Sequence, residues 1–210
     1  MKILNLYAGI GGNRKFWGNE HQVTAIEYDE DTAKIYRHLY PNDIVIVADA
    51  HQYLLDHHKE FDLIWSSPPC PTHSRLNTSM VGKGAAPKYP DMKLYQEIIF
   101  LMQWFKGKFV VENVIPYYEP LIPGRKIDRH LWWANFPITN FTPSKKPQHE
   151  TATIKMLEDF YGFDLSKFKA QGINNKLKML RNCVHPETGL HILNCAMNNF
   201  TSMDNSINLF

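Results

Sequence analysis

One of the three cysteines, Cys70, stands where a thiol can do chemistry. It closes the run Ser-Pro-Pro-Cys at residues 67–70. An apolar run of buried-strand length, residues 61–65, precedes it, and the prolines end that strand because they have no N–H to donate. Sites in open α/β sheets form beyond strand ends, where a nearby cation or a helix N-terminus favours a thiolate. Cys70 is therefore a candidate nucleophile, with a small buried side chain as the simpler alternative.

Three other predicted strands end in a glycine or a carboxylate. The first, residues 3–7, runs into the glycine-rich turn Ala-Gly-Ile-Gly-Gly at 8–12, the second ends at Glu27, and the third, residues 44–48, ends at Asp49. Glycines allow a tight turn and close approach to a ligand, although a plain strand-to-helix turn has the same pattern. An acid ending the second strand is typical of sites that hold ribose hydroxyls. The recurrence predicts a ligand crevice.

A carboxylate also follows the fifth predicted strand, residues 109–111, where Glu112 begins the run Glu-Asn-Val. A carboxylate beside a candidate nucleophile indicates acid–base or hydrogen-bonding chemistry. Residues 72–90 are predicted to be a long loop whose glycines and basic side chains suit a lid over an anionic substrate, or else a solvated insertion. The spacing of apolar residues predicts a helix over 91–105, with a core-facing set made of Met92, Tyr95, Ile98, Ile99 and Met102.

Composition fits an ordinary globular protein with one good core. The chain has 210 residues, of which 44% are hydrophobic and 21% charged, and a formal net charge of +2. Three scattered cysteines form neither a disulfide framework nor a metal-ligand pattern and suit a reducing compartment. No apolar run is long enough for a bilayer and no targeting signal begins the chain. We therefore expect a cytoplasmic protein without metal or membrane attachment.

These elements predict an α/β fold, a doubly wound, mostly parallel sheet over residues 1–137. Residues 138–210 are expected to form a small, irregular C-terminal subdomain.

Together the motifs resemble the DNA cytosine-5 methyltransferase family, in particular its small phage-type members. Residues 4–12 are similar to that family's first S-adenosylmethionine motif, residues 67–70 with Ser74 to its Pro-Cys motif, and residues 112–114 to its Glu-Asn-Val. The order and spacing match over residues 3–137. The resemblance therefore implies the S-adenosylmethionine-dependent methyltransferase fold.

The resemblance also implies roles for individual residues. Those expected to catalyse are Cys70, Glu112 and Arg129. Those expected to bind S-adenosylmethionine are Tyr7, Ala8, Gly9, Gly11, Gly12, Glu27, Tyr28, Asp49, Ala50 and Pro69. Those expected to bind the DNA substrate are Ser74, Arg75 and Asn113.

The sequence departs from the family pattern at two places. Arg129 fits the second position of the family's two-arginine motif, but Ile127 occupies the first. Residues 138–210 are short for a target-recognition domain and lack the closing Gly-Asn-Ser-Val motif, for which 181–184 and 194–196 are no clear substitute. A second protein that supplies target recognition is therefore a possible partner.

The implied reaction is methylation of cytosine at C5. Cys70 thiolate adds to C6 and makes C5 nucleophilic, Glu112 hydrogen-bonds the base at N3 and the exocyclic amine, and Arg129 holds the oxygen at C2. The base must be flipped out of the duplex, and residues 72–90 would close over it. The alternatives are RNA methylation, a partner-dependent cofactor-binding module, and amino-group methylation. The last needs an aromatic residue in place of Cys70 to stack the base.

Overall fold

A seven-stranded β-sheet forms the centre of the protein in this computed structural model, which describes residues 1–148, 151–168 and 173–197. Its strands are β1 (Lys2–Leu6), β2 (Gln22–Glu27), β3 (Ile44–Val47), β4 (Leu63–Ser66), β5 (Lys108–Val114), β6 (Arg125–Ile127) and β7 (His130–Ala134). They lie in the order β3-β2-β1-β4-β5-β7-β6. The first five run parallel, while β7 is antiparallel to both β5 and β6. The predicted α/β class is confirmed.

Helices connect the strands and cover both faces of the sheet. The α-helices of the described residues are α1 (Glu30–Leu39), α2 (Ala50–His57), α3 (Arg75–Val81), α4 (Lys93–Trp104), α5 (Ile154–Tyr161), α6 (Ile173–Arg181) and α7 (Pro186–Met197). Short 3-10 turns lie at Asn13–Phe16 and His58–Glu60. None of these helices has the length and hydropathy needed to cross a bilayer.

The strands are apolar on both sides because helices bury both sides. On one face, Leu4, Leu6 and Ile64 pack with Ile98 and Leu101 of α4 in a single apolar cluster. The side chains that alternate with them point to the opposite face, as the two-residue period of a strand requires.

Helix α7 covers part of that opposite face. Its residues Ile192, Leu193 and Ala196 pack with Ile3 and Trp65 from strands β1 and β4. The C-terminal part of the chain thus contributes to the central core, and its described residues include the helices α5, α6 and α7, where an irregular segment was expected. The boundary at residue 137 stays a prediction, and residues 149–150, 169–172 and 198–210 of the predicted subdomain lie outside the described residues.

The strand order determines where a ligand can bind. Strand β1 lies between β2 and β4, and the chain proceeds outward from β1 to β2 and β3 on one side and to β4 and β5 on the other. Ligands of open α/β sheets bind at such a switch point, beyond the carboxyl ends of the strands. The glycine-rich turn after β1 and the Pro-Cys segment after β4 therefore lie side by side.

Two predictions for the region after β4 are wrong. The loop predicted for residues 72–90 contains helix α3, which Ser74 caps by accepting a hydrogen bond from the Leu76 N–H at 3.3 Å. Of the predicted core-facing residues, Met92 at the N-cap of α4 and Ile99 and Met102 within it are more than half exposed. Successive helix residues are about 100° apart, so a residue next to a core-facing position can already point to solvent. When such a residue is apolar, the sequence pattern alone does not distinguish it from a buried one.

Candidate active site

The turn after β1 has an unusual backbone that opens space at the strand tip. Tyr7, Gly9 and Gly11 have φ angles of 55°, 56° and 80°. Only glycine adopts this left-handed region without steric cost, so Tyr7 must be held there by its surroundings. A Cβ built on Gly9 would meet no heavy atom within 4 Å. The turn therefore presents backbone to an open crevice.

Glu27, the last residue of β2, lies against this turn. One carboxylate oxygen accepts the Gly9 N–H at 2.9 Å and the other accepts the Asp29 N–H at 3.0 Å. The side chain is half-buried, and the next residue, Tyr28, is exposed. Both carboxylate oxygens are oriented by backbone donors, and the group lies at the edge of the crevice.

Asp49 follows β3 and caps helix α2. Its Oδ1 accepts the Gln52 N–H at 2.9 Å, as in a standard N-cap. The residue is exposed whereas Ala50 is buried. The tips of β1, β2 and β3 therefore carry a glycine-rich turn, a carboxylate and a second carboxylate along one edge of the sheet.

The segment between α6 and α7 packs against the glycine-rich turn. A Cβ on Gly12 would lie 2.4 Å from the Val184 carbonyl oxygen and 2.9 Å from the Cys183 Cβ. The Trp17 indole N–H donates to the Gly189 carbonyl at 3.0 Å and ties α7 to the same region. Sequence comparison with the family pattern gave residues 181–184 no place in the crevice, but the structure brings Cys183 and Val184 directly against the turn.

Asn113 holds the Pro-Cys segment in place from the neighbouring strand. Its side-chain N–H₂ donates to the Pro68 carbonyl at 3.0 Å, and Asn113 is 2% exposed. Beyond Pro68, the Cys70 carbonyl accepts the N–H groups of His73 and Ser74, each at 3.0 Å. The segment is thus a fixed turn at the end of β4. Asn113, predicted to bind substrate, has its donor engaged inside the protein.

The Cys70 thiol is half-buried, and its pKa is raised, first by burial and then by the nearby Glu112 carboxylate. Both effects disfavour the thiolate. The shift is opposite to the one expected of a thiol next to a cation or a helix N-terminus. In the free protein Cys70 is therefore a protonated thiol close to a carboxylate.

Glu112 lies inside β5, which extends to Val114, and it is 9% exposed. The basic group beside it is His130, whose Nε2 is 3.9 Å from Glu112 Oε2. Residue pairs Glu112–Trp132 and Val114–His130 face each other across β5 and β7, so His130 shares a sheet face with Glu112. Strand alternation explains this contact.

Arg129 lies just before β7, one residue from that face. Its side chain is 69% exposed, with Nε 3.9 Å from Asp128 Oδ2. Its predicted contact with the base stays a prediction, while His130 is the neighbour of Glu112 that the sequence did not reveal. Arg75, the first residue of α3, is exposed at the same edge of the sheet.

A second residue that the sequence did not reveal is Glu97 of α4, a fully buried carboxylate that binds the Tyr7 hydroxyl. The sequence does contain a signal for Glu97, because it is a charged residue at a helix position that faces the core. Among the described residues, no group of three or more His, Cys, Asp or Glu side chains is arranged to hold a metal ion.

Comparison with known proteins gives three findings. A family model described as C-5 cytosine-specific DNA methylase matches residues 1–116. The curated "Probable DNA (cytosine-5)-methyltransferase" of Frog virus 3 (isolate Goorha) is 36% identical over 66 residues, which cover 26% of this chain and 30% of the viral protein. The chain therefore matches less than a third of that relative's length.

The third finding is structural. The solved structure of the methyltransferase EhMeth from Entamoeba histolytica has a TM-score of 0.61 to this protein and is 8% identical, covering 96% of this chain and 99% of that chain. At this identity the likeness concerns the fold alone, and it supports a methyltransferase-type α/β architecture.

Proposed function

Because the chain belongs to the family of C-5 cytosine-specific DNA methylases, we propose that it transfers a methyl group from S-adenosylmethionine to C5 of a cytosine in DNA. The main support for the proposal is that two sites lie next to each other at one edge of the sheet. The glycine-rich turn follows β1 and is bonded to Glu27 at the end of β2, while Cys70 follows β4 and Glu112 lies in the adjacent strand β5.

The residues at the tips of β1 to β3 fit S-adenosylmethionine. The open space beside Gly9 accommodates a ligand against the backbone. The half-buried Glu27 carboxylate suits ribose hydroxyls. The exposed Tyr28 follows β2 and Asp49 follows β3, on the side where the adenine is proposed to bind. When bound, this cofactor supplies the methyl group. Cys183 and Val184 support the turn from behind Gly12.

Cys70 is the proposed nucleophile. Its thiol loses its proton to solvent, the thiolate then forms an S–C6 bond, and the electrons of the C5=C6 double bond move into the ring toward N3. Glu112 lies close enough to Cys70 to raise the pKa of the thiol. In this scheme the Glu112 carboxylate accepts a hydrogen bond from the exocyclic amine. After the S–C6 bond has formed, it relays a proton from water to N3, which balances the proton that the thiol lost. C5 thereby becomes nucleophilic.

The cycle closes when C5, now carrying the methyl group, gives its proton to water and the S–C6 bond breaks to restore the C5=C6 double bond. N3 returns its proton to solvent and the released thiolate takes one up, which restores the free cysteine. Arg129 is proposed to hold the oxygen at C2. His130 is proposed to orient Glu112, since its Nε2 lies 3.9 Å from the carboxylate. A base inside a duplex cannot reach Cys70, so it must be flipped out.

Exposed cations on the segment after Cys70 support a nucleic-acid substrate. Arg75, Lys83 and Lys88 are all exposed, on helix α3 and the loop that follows it. Lysine and arginine at the mouth of a site bind phosphates by replacing counterions. The segment is proposed to contact the backbone of the DNA around the flipped cytosine.

The covalent step can be tested with DNA that carries 5-fluorocytosine. Fluorine at C5 cannot leave as a proton does, so the enzyme should remain attached to the DNA when S-adenosylmethionine is present. Cys70→Ser should abolish this adduct, because a serine hydroxyl is un-ionised at neutral pH. Cys195→Ser is the matched control: Cys195 is buried in the core on α7 and should leave the adduct intact.

Duplex DNA, single-stranded DNA and tRNA should be compared in the same assay. Adduct on duplex DNA is the expected result, and adduct only on tRNA would assign the enzyme to RNA. An adduct that persists in Cys70→Ser would refute the nucleophile. Absence of adduct on all three substrates would refute independent catalysis by this chain and favour a partner-dependent module.

A further inference from the structure

Glu97 is a buried carboxylate that the proposed chemistry does not use. It is 0% exposed and lies on α4 among Leu94, Ile98 and Leu101, all of which pack into the apolar core. Burying a carboxylate costs free energy unless hydrogen bonds replace its water shell. A leucine at this position would pack without that cost. The hydrogen bonds of Glu97 therefore indicate the role of the carboxylate.

Those contacts come from the end of β4, the turn after β1 and the first turn of helix α2. The Tyr7 hydroxyl donates to Oε1 at 2.5 Å, the Ser66 hydroxyl donates to Oε2 at 2.8 Å, and His51 Nδ1 lies 2.9 Å from Oε1. Tyr7 begins the turn after β1, Ser66 is the last residue of β4, and His51 is the second residue of α2, after Asp49. One carboxylate thus bonds to the turn after β1, to helix α2 and to strand β4, which leads to Cys70.

The contact to Tyr7 is the most informative of the three. Tyr7 has a φ of 55°, a conformation that costs energy in a residue with a Cβ and persists only where its surroundings hold it. The pKa of Tyr7 is raised far above its ordinary value, first by burial and then by Glu97, so the hydroxyl keeps the proton that it donates. The hydrogen bond therefore fixes the side chain of the residue that opens the glycine turn.

We propose that Glu97 is a positioning residue of the cofactor site, which holds the turn after β1 in its binding conformation through Tyr7 and aligns that turn with α2 and β4. The inference rests on the proposed S-adenosylmethionine site. In this proposal Glu97 contacts Tyr7, His51 and Ser66 and touches neither the cofactor nor the base. Loss of Glu97 should weaken cofactor binding in a protein that is still folded.

The test measures the affinity of S-adenosylhomocysteine, the demethylated cofactor, by calorimetry at a temperature far below the Tm of every variant. Glu97→Met keeps the length of the side chain but removes all three hydrogen bonds, and should raise Kd at least about tenfold. Glu97→Gln can still accept from Tyr7 and donate to Ser66, and should restore most of the affinity. Gln96→Met places the same new side chain one residue away, on the exposed side of α4, and should bind like wild type.

Tyr7→Phe removes one hydroxyl and supplies an independent arm if Glu97→Met does not fold. It should also weaken binding about tenfold, and the double variant should bind no more weakly than Glu97→Met, because both changes break the same contact. In steady-state assays, KM for S-adenosylmethionine should rise while KM for DNA stays unchanged.

The outcomes separate this proposal from the one on which it rests. A lower Tm for Glu97→Met with Kd within twofold of wild type would make Glu97 merely structural and refute the proposal. Additive losses in the double variant would refute transmission through Tyr7. A wild-type protein that binds no cofactor at all would overturn the cofactor site itself, whereas binding without any Cys70 adduct would overturn only the chemistry.

Discussion

Gly12→Ala tests whether the C-terminal segment closes the crevice as the structure has it. An alanine Cβ at this position would lie 2.4 Å from the Val184 carbonyl oxygen and 2.9 Å from the Cys183 Cβ. The first neighbour is backbone, so it cannot move aside as the end of a flexible side chain can. The segment before α7 must shift away from the glycine turn, or the turn itself must move.

The magnitude follows from two opposing effects. Overpacking a tight site costs about 1–3 kcal/mol. Replacing glycine by alanine also restricts the unfolded chain, which stabilises the fold by about 0.4–1 kcal/mol where the backbone angles suit alanine. Gly12 has a φ of −58°, which suits any residue, so strain is not an additional cost. We expect a net loss of about 1–2 kcal/mol, which is a fall in Tm of roughly 2–8 °C for a chain of this size.

Thermal unfolding measures the change in stability, and calorimetry measures the affinity of each variant for the cofactor. Gly82→Ala is the matched control, since its φ is −61° and its Cβ would lie 3.5 Å from the Ser79 carbonyl, an ordinary contact. Gly82→Ala should equal or exceed wild type in stability. If Gly12→Ala is as stable as Gly82→Ala and binds cofactor equally well, residues 183–184 do not pack on the turn and the argument fails.

Three further predictions concern the titratable and buried groups. The pKa of His51 is raised, first by its hydrogen bond to Glu97, with Asp49 adding to the rise and burial and Lys93 opposing it. The stabilisation by protonated His51 is present below the unfolded pKa of about 6.5 and is lost as pH rises through the higher folded pKa. The difference in unfolding free energy between wild type and His51→Asn, measured in urea melts, should therefore narrow from acid to alkaline pH. A difference that widens with pH would contradict the direction of the pKa shift. Asn113→Leu should cost about 1–3 kcal/mol by leaving the buried Pro68 carbonyl unpaired and should slow adduct formation; unchanged stability in the same melts would show that the bond is unimportant. Because burial and Glu112 raise the pKa of Cys70, the adduct rate should rise about tenfold per pH unit in the neutral range; a flat pH–rate profile would exclude attack by the free thiolate.

Local patterns in the sequence were sufficient to predict the elements that carry the site. Short apolar runs located β1 to β5, and they placed Glu27 at the end of β2 and Asp49 just after β3. Asp29 caps α1 by accepting a hydrogen bond from the Thr32 N–H, a role typical of aspartate just before a helix. These features depend on neighbours within a few residues, namely strand alternation, helix capping and the freedom of glycine, so a linear sequence contains the information.

The tertiary structure decided which groups meet. Whether Arg129 or His130 approaches Glu112 depends on the register of β7 against β5, since a shift of one residue exchanges the faces. The direction of the Cys70 pKa shift depends on burial, which no local pattern reports. Cys183 reaches Gly12 from the far end of the chain, and Glu97 meets Tyr7 across 90 residues of sequence. Such contacts follow from packing between distant segments, and only the folded chain specifies them.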